Sequence, residues 1–110
     1  MPARPTQQIA PIYHRRIGDL VVTALSDGIL ERTHEMMHGI SAEDGKSHLE
    51  AQFRTSFSLS VNAFVVHRNG KAILIETGSG NYFGPVAGHL LDNLVTAGIA
   101  PDSIETILLT

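Results

Sequence analysis

At 110 residues the chain has room for one small domain but not two. Apolar residues make up 43% and charged residues 17%, against about 25% charged in an ordinary soluble domain, so the composition is globular and core-rich. A net charge of −3 leaves no basic footprint for nucleic acid, and the lack of cysteine excludes disulfides, thiolate catalysis and Cys-based zinc sites. No run approaches the roughly 18 consecutive apolar residues of a membrane span. Met1 to Ile17 carries Arg4, Arg15 and Arg16 without an apolar core segment, so no secretory signal is read and the cytoplasm is the expected compartment.

Residues 1–16, with Pro2, Pro5 and Pro11, read as an N-terminal arm, and 17–110 as the folded portion. Leu20 to Leu25 is rich in β-branched residues, and Asp27-Gly28 precedes a second apolar stretch. That pattern predicts a hairpin of strands 18–25 and 29–32. Residues 33–55 form a long excursion, in which Ser47 to Phe53 reads as a short helix with Leu49 and Phe53 on one face. Phe57 to His67 and Ala72 to Ile75 flank Asn69-Gly70. They predict a second hairpin, apolar on both faces and so placed in a covered sheet. Thr77 to Asn81 is a Gly-rich loop. Pro85 then opens a predicted helix over 85–97, with Val86, Leu90, Leu94 and Ala97 as its packing stripe, Leu91 and Val95 widening it, and Gly98 as its stop. Pro101-Asp102-Ser103 turns the chain into a last strand over 104–109.

Several chemistry-bearing patterns compete with plain structural roles. His34-Glu35-Met36-Met37-His38 matches HExxH, but Gly39 stops any helix that would bring both histidines to one face. Gly45-Lys46-Ser47 resembles the end of a phosphate loop without the glycine spacing or the preceding strand. Gly78-Ser79-Gly80 followed by Gly84 gives GxGxxxG, where a dinucleotide loop needs GxGxxG, and Ser79 lacks a GxSxG elbow. His14, His48, His67 and His89 stand singly and read as surface or hydrogen-bonded side chains.

Taken together, Gly18-Asp19 with Thr23 to Gly28, Val61 to Val66, Ile73 to Gly78, Phe83-Gly84-Pro85 with its helix, and Ile104 to Thr110 resemble the metallo-β-lactamase-fold hydrolases. The likeness is to the branch that includes acyl-homoserine-lactone lactonases and methyl parathion hydrolase. It implies an α/β fold: the first half of an αββα sandwich, a mixed sheet with a covering helix. In that branch the strand ending here at Thr110 is followed by an HxHxDH segment, so the resemblance implies a chain truncated before its metal ligands.

What the family does would then be metal-dependent hydrolysis of lactones, esters or phosphotriesters, with two zinc ions and a small-molecule substrate. No nucleic-acid or membrane partner is expected. This chain is expected to hold no catalytic residue and no zinc of its own. Glu76, Thr77 and Gly78 stand where the family has an Asp-Thr-Gly loop that supports the metal segment, Glu76 being one methylene longer than the usual Asp. Met36 and Met37 are candidates for the substrate mouth. A half-sandwich would leave one apolar sheet face bare and prone to self-association. The alternative function is a non-catalytic fragment or interaction module sharing the half-fold.

Overall fold

The computed structural model describes residues 11–110. Five strands form one sheet in sequence order: β1 (Ile12–Ile17), β2 (Leu20–Arg32), β3 (Phe57–Arg68), β4 (Lys71–Ile75) and β5 (Ile104–Leu108). The first three junctions are antiparallel, and β5 lies parallel to β4. That last junction needs a crossover, supplied by helix α2 (Leu90–Thr96), as parallel neighbours always require. Helix α1 (Ala42–Ala51) occupies the excursion between β2 and β3. Among the described residues no helix is long and apolar enough to cross a membrane.

The Asn69-Gly70 turn forms as expected, with both residues at positive φ (51° and 74°), and joins β3 to β4. The expected Asp27-Gly28 turn does not form. β2 runs straight through it, and the ladder passes from Ser26–Asn62 to Gly28–Val61, leaving Asp27 without a cross-strand partner. This is a β-bulge: one extra residue in one strand, which re-aims the side chains beyond it. Gly28 is required there, because a Cβ would overlap the carbonyl oxygen of Val86 and the side chain of Ala87. The bulge keeps Leu25, Gly28 and Leu30 in the row opposite Ala63, Val61 and Leu59. The hairpin forms earlier instead, at Gly18-Asp19, so β1, all but Ile17 of which falls in the expected arm, is an edge strand. Residues 1–10 of that arm lie outside the described residues.

Two helices also differ from expectation. α1 begins at Ala42, before Ser47, because the Ser41 hydroxyl accepts the Asp44 amide at 3.1 Å and Glu43 and Asp44 favour its first turn. Phe53 falls beyond the helix end at φ 58° and is 98% exposed, so it does not share a packed face with Leu49. The expected helix over 85–97 is broken into a 3-10 turn, Gly84–Val86, and α2. Val86 therefore leaves the packing stripe, and Leu91 and Val95 face solvent. α2 ends as expected, with the Gly98 amide donating to Val95 and that of Ile99 to Leu94.

The core lies on one face of the sheet. Leu25, Ala63, Val65, Ala72 and Leu74 pack with Leu90, Leu94 and Ile99. Each fully buried large aliphatic side chain among them is worth roughly 1.5–3 kcal/mol of transfer free energy. On the opposite face, cross-strand pairing aligns Val22, Val66 and Ile73 in one row and Ala24, Phe64 and Ile75 in the next. None of these six is fully buried.

Candidate active-site edge

Strand directions decide which loops meet. β2 and β4 are each antiparallel to β3, and β5 is parallel to β4, so β2, β4 and β5 run the same way; β4 and β5 end together, level with Ala24, and β2 continues past them to Arg32. The segments that follow them carry Met36 and Met37, then Glu76 to His89, then Leu109 and Thr110. Ligand sites in open α/β sheets form at such strand ends.

Glu76 leaves β4 in the left-handed region, at φ 71°. That conformation costs a side-chain-bearing residue roughly 1–2 kcal/mol, and such outliers gather at functional sites. Three hydrogen bonds fix it. Its amide donates to the Leu108 carbonyl at 2.8 Å, and its Oε1 accepts both the amide and the hydroxyl of Thr110. Those two bonds from Thr110 hold the carboxyl below its ordinary range. The exit of β5 is thus tied to the exit of β4. Thr77 is exposed on the wall of an apolar groove between α2 and β5, shared with Leu74, Leu91, Leu94, Ile104 and Ile107.

Gly78 sits against Asp27, a residue whose sequence context points only to a turn. Asp27 is 1% exposed. Its Oδ2 accepts the Ser79 hydroxyl at 2.6 Å, the Ser79 amide at 2.9 Å and the Gly88 amide at 3.2 Å, while Oδ1 accepts the Leu90 amide at 3.0 Å. Burial pushes this carboxyl up, but the Ser79 hydroxyl and the three amides outweigh it, and the net shift is downward. The backbone joins in: the Asp27 carbonyl accepts the His89 amide at 2.9 Å, and the Ser26 carbonyl accepts Asn93 Nδ2 at 2.7 Å. This explains the broken helix, since the amides of Gly88, His89 and Leu90 all turn toward the bulge. One signal was available in the sequence. An aspartate interrupting thirteen residues of strand (Leu20–Arg32) must either reverse the chain or be satisfied in place.

The structure brings Glu76, Thr77 and Gly78 together with Thr110 and Asp27. Met36 and Met37 lie on the segment after β2: Met36 is half-exposed, and Met37 packs against Gly45 of α1. Arg32 links that segment to the loop after β4, its guanidinium lying 5.6 Å from the Phe83 ring centroid.

The competing motifs take structural roles. His34–Met36 is a single 3-10 turn, so the HExxH histidines share no helix face. Gly45-Lys46-Ser47 lies inside α1, with Lys46 3.9 Å from Glu50. The Gly78-Ser79-Gly80 loop spends its Ser79 amide on Asp27 rather than on a ligand. His14 bonds Thr23 and His89 bonds the Pro85 carbonyl. Among the described residues no three His, Asp or Glu side chains gather closely enough to hold a metal ion, so this donor set does not fit a metal centre.

No protein-family model and no curated relative matches the chain. Solved structures do. A hydrolase of the β-lactamase superfamily, AbOPH, superposes with a TM-score of 0.86 at 31% identity over 94% of this chain. AidC, a dizinc quorum-quenching lactonase in complex with the product N-hexanoyl-L-homoserine, gives 0.81 at 26% over 89%. A probable metal-dependent hydrolase from Staphylococcus aureus gives 0.66 at 18% over 87%, a likeness of fold alone. The chain spans 36%, 35% and 39% of their respective lengths. Its five-stranded mixed sheet with α2 is part of the metallo-β-lactamase fold, and the chain is related to the hydrolases built on it.

Proposed function

We propose that the chain is the N-terminal part of a metal-dependent hydrolase that cleaves lactones, esters or phosphotriesters, with the metal ligands supplied by residues outside these 110. The observation that carries this reading is the edge where β4 and β5 end together. There Glu76, held in a strained backbone, fixes Thr110 at the exit of β5. The likeness to AbOPH and to a dizinc lactonase supports hydrolysis, and the latter favours two zinc ions. Bound zinc supplies a water acidic enough to act as nucleophile near neutral pH.

The part played by this chain is support. Glu76 fixes the segment leaving β5, Thr77 and Gly78 carry the chain past Asp27, and Met36 and Met37 border the mouth. Extending the chain through an HxHxDH segment should give lactone or phosphotriester hydrolysis that a chelator abolishes. The 110-residue chain should give none. Turnover by the 110-residue chain that survives a chelator would overturn the proposal.

The partly exposed face through Phe64, Val66, Ile73 and Ile75 favours a second reading, a non-catalytic interaction module. An extended chain that binds no metal, and a 110-residue chain that holds a partner through this face, would select it.

A further inference from the structure

We infer that Asp27 is a positioning residue that makes the loop over residues 80–87 a fixed wall of the candidate site rather than a mobile lid. The clamp itself stands on geometry, and only the identity of the site beside it rests on the hydrolase reading. The loop sets out from Ser79, four residues beyond the end of β4, and comes back at Gly88, and both feet meet on one carboxylate through the Ser79 amide, the Ser79 hydroxyl and the Gly88 amide. The feet also touch directly, since a Cβ on Gly88 would overlap the carbonyl oxygen of Gly80. A short segment with its ends in contact and its own side chains packed together has the form of an Ω-loop. Here Tyr82 and Phe83 pack edge to face at 4.9 Å, Arg32 covers Phe83, and Tyr82 remains 83% exposed.

The anchor is rigid because Asp27 is the unpaired residue of a bulge in the longest strand. Its backbone carbonyl holds His89, and its second oxygen holds Leu90. Oδ2 accepts three of the four bonds and Oδ1 one, and the residue is 1% exposed, so burial together with these bonds keeps the neck closed. The loop hangs on the same edge as Glu76 and Thr110, and its place relative to them is set through Gly78, which touches Asp27.

Hydrogen exchange on the 110-residue chain tests this. In Asp27→Ala the amides of Ser79, Gly88 and Leu90 should exchange faster by roughly 10- to 100-fold, the range expected when a charge-assisted bond is lost. Val65 and Leu74 should keep their protection. Formate should restore protection at the same three amides, and chloride at equal ionic strength should not. Unchanged exchange at these amides would overturn the clamp. So would an equal loss of protection at Val65 and Leu74, or a failure of formate to differ from chloride. If Asp27→Ala does not fold, Asp27→Asn keeps the shape and removes the charge. Faster exchange confined to the same three amides would then support the clamp, and unchanged or uniformly faster exchange would overturn it.

In the chain extended through its metal segment, Asp27→Asn should raise KM several-fold with a smaller change in kcat. A fall in kcat at constant KM would place Asp27 in the chemistry and overturn the positioning role. Absence of hydrolysis in the unsubstituted extended chain would count against the hydrolase reading alone, leaving the exchange result to decide the clamp.

Discussion

The two faces of the sheet are built from neighbouring residues of the same strands and end differently. Leu74 is 5% exposed beneath α2, while Ile73, one residue earlier and equally apolar, is half-buried on the other face. Val65 is fully buried, and Phe64 beside it is 38% exposed. Hydrophobicity does not separate these pairs. What separates them is a helix brought over one face, and α2 is brought there by Asp27, whose bonds to Gly88, His89 and Leu90 stop the helix from starting at Pro85. A polar residue in a strand thus decides which apolar face becomes the core.

The largest effect should come from emptying the covered face. Leu94 is 3% exposed, in contact with the core. Leu94→Ala should cost about 2–5 kcal/mol, from lost transfer energy plus the cavity left behind. That is a large share of a small domain's ~5–15 kcal/mol. Urea unfolding would measure it, and a cost below about 1 kcal/mol would mean that α2 is not the cover it looks to be.

Next comes the residue that places the helix. Asp27→Asn leaves the shape and strands donors, so about 1–3 kcal/mol should be lost. The pH dependence has a definite sign. The Asp27 carboxyl is lowered in the fold from its ordinary 3.8, so its stabilisation is present above that value and drains as pH falls through the lowered folded value. Glu76, lowered from 4.5, acts in the same direction but stands in solvent and adds little. A wild-type acid unfolding curve that Asp27→Asn flattens below about pH 4 would confirm the assignment. An identical curve would reject it.

The uneven legibility of this fold has the same physical origin. The β3–β4 hairpin, the end of α2 and β5 could be read because local signals and tertiary demands agree there: Asn69-Gly70 turns, Gly98 stops, and continuous apolar runs lie inside a sheet. At Asp27-Gly28 they disagree. Local chemistry favours a reversal, whereas burial of Leu25 and Leu30 on one face requires the strand to continue, and burial wins through a bulge. The helix over 85–97 fails for a related reason. Pro85 is a good start in isolation, but donors on residues 88–90 are claimed by a residue some 60 positions earlier. Of the candidate site, Glu76, Thr77 and Gly78 are named by the resemblance alone. Asp27 signalled only that a polar residue interrupts an apolar run; its partners, 52 to 63 positions away, were not legible.

The bare face should respond in the opposite sense to the covered one. Phe64→Ser should cost about 1–2 kcal/mol, less than Leu94→Ala, because its ring already stands partly in water. It should, however, lower self-association, since the rows through Phe64 and Val66 form a contiguous apolar patch beside the open β5 edge. Sedimentation at several concentrations would show the unsubstituted chain gaining mass and Phe64→Ser gaining less. A monomer at every concentration would mean that this face tolerates water as it stands.

The smallest effect lies away from both faces, at the end of α1. Phe53 occupies the position where helices favour glycine. Its amide bonds Glu50, that of Arg54 bonds Leu49, and its φ is 58°. A side chain in that conformation costs roughly 1–2 kcal/mol. Glycine would remove the strain but add about 0.5–1 kcal/mol of unfolded-state entropy, which offsets part of the gain. Because the ring is 98% exposed, no burial is lost. Phe53→Gly should therefore stabilise the chain by about 0.5–1 kcal/mol, a rise of a few degrees in Tm for a domain this size. Thermal melting at low concentration measures it without interference from the bare face. A fall in Tm would show that Phe53 is covered in solution and that its burial outweighs the backbone strain.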